Sequence, residues 1–237
     1  MFKKFFTIAC LLAVLCGCKK EDTPKVSKVV RKVECYQGGR LEYSVGYQYD
    51  TKGRLSEIVN YSGDPDLSQT FYYSDESITI LGDRGASILD VDKKGTPVKI
   101  VNGAGIIMCS FGQDGYLNKF NVNAGDSTYS LSAKTVNHNF VELQDFNGNT
   151  LKLTYTQYSN DYSIDLNNVP QIDNMFTMLN TLKVTGMYSS DLIKSVETDY
   201  ATYYFAYNFD NQGRVTDMTV VSTASENSLT EHYKFTY

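Results

Sequence analysis

The chain has 237 residues, of which 42% are apolar and 13% are aromatic, with 19 tyrosines and no tryptophan. A length and composition of this kind fit one large domain with a sizeable core. The 22 basic and 27 acidic residues give a net charge of −5, which argues against a nucleic-acid-binding protein, because such proteins need positive charge against the phosphate backbone.

The N-terminus has the layout of an export signal. Lys3 and Lys4 form a basic start, and the apolar run from Phe5 to Leu15 is shorter than the ~20 residues that a membrane-spanning helix needs. The run ends in Leu15-Cys16-Gly17-Cys18, which resembles the bacterial lipobox. This resemblance predicts a signal peptide over residues 1–17, cleaved before Cys18, and a fatty acyl chain such as palmitate on the Cys18 thiol.

The segment after the lipobox predicts where the protein is displayed. Lys19-Lys20-Glu21-Asp22 resembles the signal that sends lipoproteins of Bacteroides-type bacteria to the outer face of the outer membrane; the alternative is a solvated charged linker. We therefore expect a lipidated tether over residues 18–28 that holds residues 29–237, a single β-rich domain, at the cell surface. Cleavage removes Lys3 and Lys4, which leaves 20 basic and 27 acidic residues and a net charge of about −7.

Short alternating runs of Tyr, Phe, Val, Ile and Thr dominate the rest of the chain, which predicts a mainly β fold. The first hairpin is predicted over residues 29–49, with Gly38-Gly39 at its tip, because a Gly pair supplies the positive φ angles of a tight turn.

A turn motif recurs between these runs. In a type I turn the first Asp caps a backbone N–H two residues on, and the final Gly takes a left-handed conformation, so the motif predicts hairpin tips. Four copies read Asp-x-x-Gly, at Asp50–Gly53, Asp92–Gly95, Asp145–Gly148 and Asp210–Gly213, and Gly112–Gly115 is a fifth, degenerate copy.

The residues one and three positions before each turn predict which strand face is buried, since alternate residues share a face. Four copies place apolar or aromatic residues there: Tyr49 and Tyr47, Val91 and Leu89, Phe111 and Cys109, and Phe209 and Tyr207. The copy at Asp145 instead has Gln144 and Glu142, so its register is shifted by one residue or its strand presents the other face. In the strand before Asp210, the face with Tyr207 should be core and the face with Tyr204 should be exposed.

One helix is expected between Asn167 and Lys183. Pro170 suits a first helical turn, and a single helix face would carry four apolar residues, Ile172, Met175, Phe176 and Leu179. We interpret this stripe as core.

Two segments of the chain resemble the tyrosine-aspartate repeat. They are Tyr47-Gln48-Tyr49-Asp50-Thr51-Lys52-Gly53-Arg54-Leu55 and Tyr207-Asn208-Phe209-Asp210-Asn211-Gln212-Gly213-Arg214-Val215. With the lipobox and the acidic segment after it, the chain is similar to an uncharacterised family of Bacteroides-type surface lipoproteins, a domain of unknown function with a porin-like fold. The resemblance implies a curved antiparallel meander or partial barrel of hairpins, and no known activity.

The residues that could support catalysis or metal binding are few. His138 and His232 do not lie at metal-ligand spacing, and no Gly-x-Ser-x-Gly elbow is present. Cys35 and Cys109, the two cysteines outside the export segment, are either a disulfide pair or two small buried side chains. We therefore assign no catalytic residue, no metal and no cofactor.

Three functions remain open. The leading hypothesis is a non-enzymatic surface lipoprotein that binds a glycan or a protein partner through one face of the sheet, and that does not bind nucleic acid. The second is a carrier of an apolar ligand in a concave half-barrel, which would need an open apolar groove. The third is a hydrolase, which would need two carboxylates facing each other in a cleft.

Overall fold

The structure is a computed structural model that describes residues 29–62, 68–82, 85–103, 105–113, 115–144, 148–160, 189–224 and 228–237. These residues form sixteen strands. The strands are β1 (Lys32–Gln37), β2 (Arg40–Tyr49), β3 (Leu55–Asn60), β4 (Gln69–Tyr73), β5 (Ser77–Gly82), β6 (Gly85–Val91), β7 (Pro97–Asn102), β8 (Gly105–Phe111), β9 (Leu117–Ala124), β10 (Ser127–Val136), β11 (Asn139–Gln144), β12 (Thr150–Ser159), β13 (Asp191–Glu197), β14 (Ala201–Phe209), β15 (Val215–Ala224) and β16 (Ser228–Thr236).

The strands form a closed antiparallel barrel in which each strand pairs with its neighbours in sequence. The barrel closes where β1 pairs with β16, and Val33 lies between Phe235 on β16 and Val45 on β2. The mainly β, antiparallel prediction is confirmed, whereas the prediction of a partial barrel is wrong, because β1 and β16 satisfy each other's backbone groups and leave no open edge. The helix predicted between Asn167 and Lys183 lies outside the described residues.

Because every strand reverses direction, successive hairpin turns alternate between the two ends of the barrel. The turns at 50–53, 92–95, 112–115 and 210–213 lie at one end, which we call the Asp-turn rim. The first described residues also lie there, since the Arg31 amide donates to the Thr236 carbonyl. The opposite rim carries the tight β1–β2 turn, where Gly38 and Gly39 have φ of +56° and +82°.

The inward face of the barrel is mostly apolar, and many of its side chains are shielded from water. Leu89, Ile100, Phe120 and Tyr233, on four different strands, are fully buried. Sixteen-stranded porins leave an aqueous channel lined by polar residues. Here the inward side chains instead form the hydrophobic core.

The outward face is largely polar, and charged residues face each other along it. Glu142 pairs in register with Lys152, and Asp217 pairs with Lys234. A membrane barrel would need an apolar band around its whole circumference. The outward faces of the described strands do not form such a band.

Strand β14 illustrates the difference between the inward and outward faces of the barrel. Tyr203 and Phe205 are buried and Tyr207 is half-buried, whereas Tyr204, between them, is 52% exposed. The face with Tyr207 is therefore the core, as predicted, although Phe209 at the rim is 37% exposed.

Candidate functional site

The Asp-x-x-Gly turns are built by the Asp side chain and the terminal Gly. Asp50 Oδ1 accepts hydrogen bonds from the amides of Lys52 and Arg54 at 2.8 and 2.9 Å. Gly53 donates its amide to the Asp50 carbonyl and has φ of +76°, a conformation that favours glycine. The Arg54 amide bond is the main reason that the pKa of Asp50 lies below its usual range.

The same geometry recurs along this rim. The amide bonds to the Asp side chain are repeated at Asp92 and Asp210, and the turns there end in Gly95 and Gly213, with φ of +81° and +76°. The degenerate copy ends in Gly115, also with φ of +81°.

Two of the turns are joined to the barrel wall by an arginine and a tyrosine. Arg54 Nε donates to Asp50 Oδ2 at 2.7 Å, and the guanidinium lies 4.1 Å from the centre of the Tyr73 ring. The Tyr73 hydroxyl in turn donates to the Leu55 carbonyl at 2.8 Å. Burial raises the pKa of Tyr73 to about 12, so the hydroxyl stays a donor at neutral pH.

Asp210 and Arg214 repeat this arrangement with Tyr237, whose hydroxyl donates to the Val215 carbonyl at 3.0 Å. The turn carboxylates are therefore committed to local hydrogen bonds. Among the described residues, no group of three or more metal-ligating side chains occurs.

The copy at Asp145 lies at the opposite rim, and Asp145 itself is outside the described residues. Gly148, which ends it, has φ of +85°. Leu143 is buried and Gln144 is exposed, so the inward face of β11 is offset by one residue from the pattern of the other copies. The pairing beside the turn is the same as in the other copies, because Gln144 pairs with Thr150 just as Tyr49 pairs with Leu55. Of the two alternatives left open by the sequence, the structure therefore shows the second, a strand that presents its other face.

The histidines and cysteines do not meet in one place. His138 stacks on Tyr116 at the Asp-turn rim, and the His232 ring lies 3.2 Å from the Thr219 hydroxyl on the outward wall. Cys35 and Cys109 are free thiols on β1 and β8. Burial raises their pKa to about 11 and about 12, which keeps both thiols protonated at neutral pH. Cys18 lies outside the described residues.

One carboxylate lies on the apolar inward face. Glu231 on β16 faces Val220 on β15 and Gln37 on β1, near the opposite rim. The buried Tyr233 donates its hydroxyl to Glu231 Oε2 at 2.7 Å. Burial raises the pKa of Glu231, and the hydrogen bond from Tyr233 opposes that rise.

A second unusual feature is a cluster of apolar side chains on the outward wall. Ile88, Val101 and Ile106 face one another across β6, β7 and β8. Thr79 and Tyr72 continue this row onto β5 and β4. With their neighbours, the apolar members form a surface that we call the outer apolar patch: Tyr72, Leu81, Ile88, Val101, Ile106 and Met108.

The patch is open to solvent. Tyr72 is 56% exposed, and Leu81, Ile88, Ile106 and Met108 are each between 41% and 43% exposed. Beside it, Lys99 and Asp90 form an ion pair at 3.3 Å. The patch is thus an exposed apolar surface that is bordered by an ion pair.

Neither Glu231 nor the patch was singled out from the sequence. Consecutive apolar residues such as Ile106-Ile107-Met108 were a sign of the patch. A strand with one solvent-exposed face should instead alternate between apolar and polar residues. Glu231 interrupts an apolar alternation of Leu229, Tyr233 and Phe235, which marked it as an inward charge.

Comparison with known proteins supports the fold. The chain is similar to a porin-like protein from Bacteroides uniformis of known crystal structure, with a TM-score of 0.68 and 18% sequence identity, over 89% of this chain and 98% of that chain. At this identity the likeness shows the fold alone. A second structure, TcdB2-TccC3-TEV, matches with a TM-score of 0.27 and 11% identity, over 77% of this chain and 10% of that chain, and carries no argument.

No protein-family model matches the chain, and no curated protein matches it. Membership of the lipoprotein family suggested by the turn repeats therefore stays a prediction. In the part of the chain that the structure describes, no helix is long and apolar enough to cross a membrane.

Proposed function

We propose that this protein is a non-enzymatic lipoprotein of the outer membrane, displayed at the cell surface, whose barrel binds another protein through the outer apolar patch. The patch is the observation that carries this proposal. Folded proteins rarely expose large contiguous apolar areas, and those that do use them as contact surfaces.

The composition of the patch favours a protein partner over a glycan. Five of its six members are aliphatic or thioether side chains, which gain free energy by burial against other apolar groups. Only Tyr72 offers both an aromatic ring and a hydroxyl. The hydroxyl groups of a glycan would find few hydrogen-bonding partners on this surface.

The two other hypotheses have less support. A carrier would need an open apolar groove, but Leu89, Ile100 and Phe120 on the inward face are fully buried. A glycosidase would need two carboxylates facing each other about 5–10 Å apart, whereas the inward carboxylate Glu231 faces Val220 and Gln37 on the neighbouring strands.

The position of the first described residues suits a lipid anchor. They lie at the Asp-turn rim, and a flexible tether over residues 19–28 would reach roughly 15–20 Å from a lipidated Cys18. The Asp-turn rim would then face the membrane, while the wall and the opposite rim would stay open to partners.

Photo-crosslinking in intact cells tests the proposal. A photoreactive amino acid would replace Ile88 in the patch or Ala206, an exposed outward residue on β14, as the matched control. We expect a discrete crosslinked protein from position 88 that disappears when Ile106→Lys is added, and none from position 206. Equal crosslinking at both positions, or none at position 88, would contradict the proposal.

A further inference from the structure

Tyr61 is an exposed aromatic residue whose position on the outward wall is fixed by the backbone. It directly follows β3, and its amide donates to the Ser44 carbonyl on β2 at 2.8 Å. The Ser62 hydroxyl accepts the Ser44 amide at 2.6 Å, which holds residues 61 and 62 beside β2. The Tyr61 side chain nevertheless stays 62% exposed, so burial of the ring contributes little to stability.

Two residues of β2 show that this arrangement is unfavourable for the strand. Gly46 lies inside β2 without a positive φ, and a β-carbon there would lie 2.8 Å from the Tyr61 hydroxyl oxygen and 2.9 Å from its Cε2. Glycine inside a strand weakens it. Ser44 is 4% exposed, and within the described ranges its hydroxyl has no hydrogen-bonding partner, which is also unfavourable. Such departures from local stability are expected at functional sites.

An ion pair lies beside the Tyr61 ring. Lys32 on β1 pairs in register with Gly46, and its Nζ donates to Glu34 Oε1 at 2.7 Å. This bond holds the pKa of Glu34 below its usual range, so the carboxylate is ionised at neutral pH. Both side chains reach solvent. An ammonium group has three donors and a carboxylate has about four acceptor positions, so the pair can form further hydrogen bonds.

A second tyrosine lies at the other end of the ion pair. Tyr36, two residues after Glu34 on the same face of β1, donates its hydroxyl to Glu34 Oε2 at 3.4 Å. Lys234 on β16 lies 5.1 Å from the centre of the Tyr36 ring. Lys32 and Tyr36 are four residues apart, which is roughly 13 Å along a strand. A ring thus lies at each end, with a donor and an acceptor between them.

We call these four side chains the outward tyrosine row: Tyr61, Lys32, Glu34 and Tyr36. From its geometry we infer that the row binds a short chain of β-linked pyranose sugars. A pyranose with equatorial hydroxyls has C–H faces that pack on an aromatic ring, and its hydroxyls both donate and accept hydrogen bonds. Glu34 and Lys32 supply the matching acceptor and donor.

The row differs from the outer apolar patch in position and in chemistry. It lies on β1 and directly after β3, whereas the patch begins on β4. Its members are aromatic or charged, whereas most members of the patch are aliphatic. The inference therefore does not depend on the protein partner of the patch.

Calorimetric titration of the purified protein with cellotriose, three β-linked glucose units, tests the inference. Maltotriose, its α-linked isomer, is the matched ligand whose curved chain does not follow the row. We expect saturable binding of cellotriose and at least fivefold weaker binding of maltotriose. Tyr61→Ala should weaken cellotriose binding at least tenfold. Tyr204→Ala, which removes a 52% exposed outward tyrosine beside Ser195 and Val221, should leave it unchanged.

Two further variants test the supporting groups. Gly46→Ala should weaken cellotriose binding severalfold, because the added β-carbon displaces the ring, and it should cause no further loss in the Tyr61→Ala background. Glu34→Gln should also weaken binding severalfold. Glu42→Gln, which removes the carboxylate of another outward ion pair, with Arg40 at 3.9 Å, should not.

The melting temperature of each variant shows separately that it is folded. If Tyr61→Ala lowers the melting temperature but leaves the affinity for cellotriose unchanged, the ring only covers Gly46 and the inference is wrong. It is also wrong if the wild type binds neither trisaccharide, or binds both with equal affinity.

Discussion

Tyr207 and Tyr204, three residues apart on β14, should differ sharply in their contribution to stability. Tyr207 is half-buried on the inward face, and its hydroxyl donates to the Ile193 carbonyl at 2.8 Å. Replacing it by alanine should cost about 3 kcal/mol, the lower end for large aromatic residues in cores, because the ring leaves a cavity. Tyr204 is 52% exposed, so Tyr204→Ala should cost under ~0.5 kcal/mol.

Phenylalanine variants separate the hydroxyl from the ring. Tyr207→Phe keeps the packing but removes the hydrogen bond to the Ile193 carbonyl, which should cost about 1 kcal/mol, whereas Tyr204→Phe should be neutral. Urea denaturation of the four purified variants gives the free energies of unfolding. A larger loss at Tyr204 than at Tyr207 would mean that the two faces of the barrel wall are assigned the wrong way round.

Three further predictions address the turns, the inward carboxylate and the anchor. Gly53→Val should lose about 1 kcal/mol or more, because φ is +76° there, whereas Gly103→Val, at an open turn position without positive φ, should lose less in the same denaturation assay. Because burial raises the pKa of Glu231, its contribution to stability is present below the unfolded pKa of about 4.3 and is lost as the pH rises through the folded pKa. Glu231→Gln should therefore gain stability relative to the wild type as the pH rises above about 4.3, and a constant difference across melts at each pH would contradict this. Cys18→Ala should abolish incorporation of a fatty acid analogue in cells, and equal labelling of the variant would refute lipid attachment.

Local features of the fold could be predicted because they depend on neighbouring residues. An Asp at the first position and a Gly at the last set the geometry of a turn by themselves, as at Asp50 and Gly53. The apolar positions before the turn then identify the inward face, as at Tyr207. At the Asp145 copy, where Leu143 rather than Gln144 is apolar, the sequence left open either a shifted register or a strand that presents its other face.

Closure of the barrel could not be predicted, because it depends on pairing between the two ends of the chain. Val33 and Phe235 are ordinary inward residues of their strands, and nothing in either pattern shows that the two strands are neighbours. A strand at the edge of an open sheet and a strand that closes a barrel show the same alternation of apolar and polar residues.

The candidate sites were hidden for a related reason. Ile88, Val101 and Ile106 become one surface only when β6, β7 and β8 are in register. Glu231 stands out only when the face it occupies is known to be inward, which requires the whole barrel.

Thiol accessibility tests the central claim, that the outward wall carries a patch occupied by a protein on the cell surface. Ile88→Cys, Leu89→Cys and Ala206→Cys would each be treated with a membrane-impermeant maleimide, on intact cells and as purified protein. We expect position 206 to react in both samples, position 89 in neither, and position 88 in the purified protein but much less on cells. Equal reactivity of position 88 in the two samples would show that nothing covers the patch, and reactivity of position 89 would contradict the inward assignment of the apolar face.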